Sequence, residues 1–148
     1  MADPPIENNE HTVRRVYEDC LNGDRMHLLP ALVAGDFVGP QGEGPTGFGR
    51  ALMALRTGFP DLHYTIEDLF AEGDRVAVRW TSKGTHRGPF QGLAPTGKPV
   101  SGSGIAIFHL RDGKIIRGWT ETNRVGFLQQ IGVLPPEKRL QAGAGTSR

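Results

Sequence analysis

Glu72-Gly73-Asp74-Arg75-Val76-Ala77-Val78-Arg79-Trp80 is the stretch that decides the architecture. Glu72-Gly73-Asp74 is a turn signal. After it Val76, Val78 and Trp80 alternate with Ala77, Arg79 and Thr81, the two-residue period of a half-buried strand running from Arg75 to Gly84. Upstream, Leu62, Tyr64 and Ile66 alternate against His63, Thr65 and Glu67, so a second strand enters the same turn. Strands joined by so short a connection are antiparallel. Downstream, a loop from His86 to Pro99 precedes a strand from Val100 to Leu110, and Asp112-Gly113 turns the chain into Lys114 to Thr122.

Ahead of Leu62 the period is helical. Val13, Val16, Tyr17, Cys20 and Leu21 form the stripe of an amphipathic helix over His11 to Leu21, ended by Asn22-Gly23. Asp24 can cap a short second helix carrying Met26, Leu28, Leu29 and Leu32, limited by Pro30 and Gly35. A glycine-rich loop, Gly39 to Gly44, leads to a third helix that Thr46 can cap, with Phe48, Leu52, Leu55 and Phe59 on one side and Pro60 at its end. Val125 to Ile131 reads as a last short helix before Gly132. Three helices followed by an antiparallel meander is an α+β pattern.

A length of 148 residues suits a single domain with one core. The expected organisation is a tail over residues 1–10, one domain over 11–134 and a second tail over 135–148, because both ends lack apolar periodicity. Seventeen basic against sixteen acidic residues, with no like-charge run beyond Arg14-Arg15, predicts neither a nucleic-acid surface nor a polybasic membrane anchor. Residues 1–10 contain no apolar signal segment, and no stretch approaches the roughly 18 apolar residues of a spanning helix. The single cysteine, Cys20, cannot form an internal disulfide and suits a reducing compartment, so a cytoplasmic location is expected.

Several motif matches fail on context. Gly42, Gly44 and Gly47 spell a dinucleotide fingerprint, but no strand–helix–strand unit surrounds them. Gly92 to Lys98 imitates a phosphate loop, yet Pro99 replaces the Ser or Thr that would hold magnesium, and a strand follows where a helix belongs. His11, His27, His63, His86 and His109 show no metal-ligand spacing, and no G-x-S-x-G elbow is present.

The run Gly58-Phe59-Pro60-Asp61-Leu62, then Ile66-Glu67-Asp68-Leu69, then Glu72 to Trp80 resembles the SnoaL-like polyketide cyclase family of the nuclear-transport-factor-2-like fold. Gly84-Thr85-His86-Arg87-Gly88, Pro95-Thr96-Gly97-Lys98, Asp112-Gly113-Lys114-Ile115-Ile116, Trp119 and Gly126 to Gly132 extend the resemblance over about His11 to Gly132. It implies a cone-shaped α+β barrel, with three N-terminal helices packed on a curved four- or five-stranded antiparallel sheet around an apolar cavity. It also implies a small apolar or aromatic polyketide-like substrate, no cofactor or metal, and a homodimer or homotetramer. The chemistry implied is an intramolecular aldol closure, which requires a general base working near its own pKa in an apolar pocket.

In the cyclases that base is an Asp four residues after the motif tryptophan. Here the position is Asn123, an amide without proton affinity at neutral pH. Asn123 is thus either a hydrogen-bond donor to a substrate carbonyl or a cap of the last helix. His109, on the preceding strand as in the cyclases, is a candidate for proton transfer. A plain two-residue turn at Asp112-Gly113 would pair it with Ile116 and set it opposite Trp119 and Asn123. A three-residue turn with Gly113 as a bulge would pair it with Arg117 and put them on one face, the arrangement favoured here. Glu121, two residues before Asn123, could supply the missing carboxylate or be a solvated strand residue. Trp119, Trp80, His86, Phe37 and Phe59 complete the candidate substrate-binding set, each with a core or turn role as the plain alternative. Two other activities stay open. One is a hydroxylase of anthracycline-type tailoring that works with a separate reductase; the other is a small-ligand-binding protein without catalysis.

Overall fold

The computed structural model describes residues 5–135. Helix α1 spans Pro5–Arg15 and continues without a break as a π-helical stretch, Val16–Asn22. It starts ahead of the expected first residue, so residues 5–10 belong to the helix; the expected C-terminal tail falls almost wholly outside the described residues. The apolar stripe predicted for it is the face it buries: Val13, Val16, Tyr17, Cys20 and Leu21 are all in the core. After a 3-10 turn at Met26–Leu28 come α2 (Leu29–Leu32), α3 (Pro45–Gly58) and then four strands: β1 (His63–Glu72), β2 (Arg75–Thr85), β3 (Pro99–Arg111) and β4 (Lys114–Thr122). Helix α4 (Arg124–Gln130) closes the described chain. Helix α3 begins two residues earlier than expected, with Gly44 instead of Thr46 as its N-cap and Pro45 in its first turn, where a proline costs no hydrogen bond.

The strands form one antiparallel sheet in the order β1-β2-β3-β4. Its inner face carries Tyr64, Val76, Val78, Trp80, Ala106, Phe108 and Ile115, all buried. Beyond β4 the segment from Val33 to Val38 runs along the sheet edge. Val33 bridges Ile115 in parallel sense, Ala34 N–H donates to Ile115 O at 2.9 Å, and Val38 N–H donates to Ile116 O at 3.2 Å. This irregular segment covers the edge that a fifth strand would occupy.

Side-chain clasps hold the helical layer to the sheet. Asn22 grips the backbone of Tyr64 from both sides, donating from Nδ2 to its carbonyl at 2.8 Å and accepting its N–H on Oδ1 at 2.7 Å. Thr12 Oγ1 donates to Gly113 O at 2.8 Å. The C-terminal carbonyl of α3, on Gly58, accepts the N–H groups of Arg87 and Gly88, each at 3.1 Å. Gly88 is required there, because a Cβ would lie 2.0 Å from Thr57 O. The rest of α3 stands away from the sheet. Its apolar residues Phe48, Leu52 and Leu55 are only partly buried, and they face a cavity instead of a packed layer.

Candidate active site

Between α3, the helical N-terminal layer and the inner face of the sheet lies a cavity of about 480 Å³. That is within the usual range for a small-molecule site. Its walls are mostly apolar. Phe37 and Phe48 meet at 5.1 Å between ring centroids on one side. Phe59, Phe90 and Phe127 form a mutual cluster with centroid separations of 5.4, 5.7 and 5.6 Å on another. At its buried end sit Tyr17, Tyr64 and Trp80. Thr120, Thr122 and Asn123 line it from the end of β4, and Gln91 and Arg124, hydrogen-bonded to each other, line it from the loop after β2 and the start of α4.

Of the expected substrate-binding residues, Phe37, Phe59 and Trp80 line this cavity, and so does Asn123. Asn123 also caps α4, accepting Gly126 N–H on Oδ1 at 2.9 Å, so it lines the cavity and caps the helix at once. His86 is fully buried behind the aromatic wall and does not line the cavity. Its ring lies 5.5 Å from that of Phe59 and 6.1 Å from that of Phe127. Its Nδ1 lies 3.1 Å from Thr96 Oγ1 and 3.3 Å from the Thr96 backbone nitrogen. Its role is to tie the loop after β2 to the wall.

His109, Glu121 and Trp119 lie on the other side of the sheet. His109 pairs with Arg117, as the favoured register required, so His109, Trp119 and Glu121 do share one face, but Asn123, expected on that face with them, lines the cavity instead. That face is the outer one, because Phe108 and Gly118, their alternating neighbours, point into the cavity. The extra residue responsible is not Gly113. Asp112 and Gly113 form a two-residue turn, both with positive φ (53° and 77°), between paired Arg111 and Lys114. The bulge comes two residues later, where Ile116 and Arg117 together oppose His109. There His109 Nε2 meets Asp74 Oδ2 at 2.8 Å, and this hydrogen bond holds the Asp74 carboxyl below its ordinary range. Glu121 is exposed in the row Asp68–Arg79–Ile105–Glu121.

Among the described residues the acidic side chain that lines the cavity is Glu43. The glycine-rich loop positions it. Gly39 N–H donates to Glu43 O at 2.8 Å, and Gln41 N–H donates to Glu43 Oε1 at 2.9 Å. The carboxylate folds over Gly39, where any Cβ would come within 2.2 Å of it. Glu43 was invisible in the sequence because it sits in an aperiodic loop. Tyr17 and Tyr64 were visible as inward positions, and their polar tips on an inward face were the unused signal. No three His, Cys, Asp or Glu side chains converge as a metal site among the described residues, and no described helix is long and apolar enough to cross a membrane.

An antiparallel sheet wrapped by helices around an apolar cavity, with a few polar groups on its lining, defines a small-molecule pocket protein of the nuclear-transport-factor-2-like fold. Comparison with known proteins gives the family. The profile of the SnoaL-like polyketide cyclases matches residues 11–131, and the chain belongs to that family. IdmH from Streptomyces antibioticus, described as a candidate polyketide cyclase, is 30% identical; the match covers 84% of this chain and 98% of that one, with a TM-score of 0.73. TsrD from Streptomyces laurentii is 25% identical over 90% of this chain and 100% of its own, with a TM-score of 0.81. AclR from Streptomyces galilaeus, described as a candidate hydroxylase, is 24% identical over 95% and 90% of the two chains and shares the fold at a TM-score of 0.82. No curated protein matches the chain significantly.

Proposed function

We propose that the protein is an enzyme that closes a ring in an aromatic or polycyclic polyketide held between α3 and the sheet. The observation that carries this reading is the cavity of about 480 Å³, walled by Phe37, Phe48, Phe59, Phe90 and Phe127, with one carboxylate, Glu43, on its lining among the described residues. Flat aromatic surfaces suit a flat aromatic guest. Glu43 takes the proton from a carbon flanked by carbonyls; the resulting enolate carbon bonds to a second carbonyl carbon of the same molecule. The alkoxide so formed recovers the proton, leaving an isomer that can then lose water. A positioned carboxylate of this kind contributes about 10²–10⁴-fold. Asn123, held by its cap to Gly126, offers its amide Nδ2 to a substrate carbonyl.

A second reading rests on Asn123 itself. With an amide where the cyclases carry an acid, the same cavity would serve a hydroxylase fed by a separate reductase, or a protein that binds its ligand unchanged. Mass spectrometry of the purified protein with a panel of anthraquinone-type polyketide esters, with and without reductase and NADPH, separates these. A ring-closed isomer or its dehydration product without cofactor supports the cyclase. A gain of one oxygen that needs the reductase selects the hydroxylase, and tight binding with no mass change selects the binder.

A further inference from the structure

The buried end of the cavity holds three hydrogen-bond donors that find no acceptor among the described residues. Tyr17 comes from the π-helical stretch, Tyr64 from β1 and Trp80 from β2, and they are 6%, 7% and 5% exposed. Their rings form a continuous set, with centroids 5.5 Å apart for Tyr17 and Tyr64 and 4.8 Å apart for Tyr64 and Trp80. Trp80 Nε1 is buried with no hydrogen-bond partner. It lies toward the Tyr17 hydroxyl without reaching hydrogen-bond geometry. Burial alone acts on the Tyr64 hydroxyl, pushing its pKa up to about 12, and burial, the Tyr64 phenol and the Trp80 indole act on Tyr17, whose pKa is raised as well. Both phenols therefore keep their protons at any ordinary pH.

Buried Tyr and Trp side chains normally find partners for their polar tips. Three donors without a partner among the described residues, around one end of a mostly apolar cavity, are thus an exception that a ligand would resolve. An indole N–H only donates, and a protonated phenol donates readily, so the matching group is an acceptor with more than one lone pair.

We infer that Tyr17, Tyr64 and Trp80 form a donor cradle that takes a ketone, quinone or enolate oxygen of the ligand at the closed end of the cavity. This rests on the reading that the cavity holds a planar aromatic molecule, and it fixes which end of that molecule enters first. In the ring closure proposed above, the cradle would hold the oxygen on which enolate charge develops.

The test compares anthraquinone with anthracene, which has the same flat shape and no oxygen, by titration against the wild type, Tyr17→Phe and Tyr64→Phe. Each substitution keeps its ring and removes one donor. It should weaken anthraquinone binding by roughly fivefold to tenfold and leave anthracene binding unchanged. Infrared difference spectra of the wild-type complex should show the quinone carbonyl stretch lowered from its position in an apolar solvent, and either variant should move it back up. Equal losses for both ligands would make the tyrosines shape-forming only and overturn the cradle, as would an unshifted carbonyl stretch or unchanged quinone affinity in both variants. Anthracene binding without anthraquinone binding would overturn the cradle and leave the cavity reading intact. Failure of both to bind the wild type would overturn the two together.

Discussion

Trp80 and Trp119, the chain's two tryptophans, sit on opposite sides of one sheet. Trp80 is 5% exposed and lines the cavity, whereas Trp119 is 44% exposed on the outer face. Around Trp80 the sheet presents Tyr64, Phe108 and the small residues Gly104 and Gly118, which give the large rings room. Around Trp119 it presents the cross-strand row Phe70, Ala77, Ile107 and Trp119, flanked by the pairs Asp68–Arg79 and Asp74–His109. The inner face is built to hold something and carries chemistry on its lining; the outer face holds titratable groups that do not line this cavity. Chemically suggestive residues therefore fall on both faces, and only the side of the sheet separates a candidate catalytic group from a surface ion pair.

The sharpest way to break this contrast is to change the two glutamates. Glu43→Gln keeps a hydrogen-bond acceptor for Gln41 N–H but removes the base, and should cut ring-closing turnover by about 10²–10⁴-fold. Glu121→Gln should leave turnover within about twofold of the wild type, because it lies outside any proton path. A steady-state assay that found the reverse would return the base to the outer face.

Stability separates the faces next. Phe108 is 3% exposed and its neighbour Ile107 is 43% exposed, on the same strand with opposite orientation. Phe108→Ala should cost about 3–5 kcal/mol, while Ile107→Ala should stay within about 1 kcal/mol, both read from denaturant unfolding. Gly104→Ala sharpens the picture at the cavity. A Cβ there would lie 2.3 Å from the Trp80 ring, so the indole must shift at a cost of roughly 1–3 kcal/mol, with weaker binding of flat ligands in the same titration.

The smallest effect belongs to the outer pair. The hydrogen bond from His109 lowers the Asp74 pKa in the folded protein, so its contribution is present above the ordinary carboxylate value, about 3.9, and disappears as pH falls through the lowered value. Asp74→Asn should slightly lower the thermal midpoint near neutrality and reduce its decline below about pH 4. An unchanged acid profile would show that the pair contributes nothing on this face.

Much of this architecture was legible from periodicity. Alternation at Leu62 to Ile66 and Val76 to Trp80 identified both strands and their buried faces, and the stripe from Val13 to Leu21 identified the buried side of the first helix. The side of β4 was harder to read. A two-residue period specifies which residues share a face but not which face is inner, and the bulge at Ile116 shifts the answer after the turn residues have been counted. His109 and Glu121 were drawn toward the site by their position beside Asn123, yet alternation past Phe108 and Gly118 turns both outward. Glu43 escaped because a loop has no period, and its placement depends on Gly39 leaving room for its carboxylate.

A flat aromatic ligand should enter the cavity on the Trp80 side of the sheet, and single-tryptophan variants test this directly. Titrating anthraquinone into Trp119→Phe, where only Trp80 emits, should quench the fluorescence to saturation. Titration into Trp80→Phe, where only Trp119 emits, should quench it little. Strong saturable quenching of Trp119 with none of Trp80 would put the ligand on the outer face and rule out the inner cavity as its site.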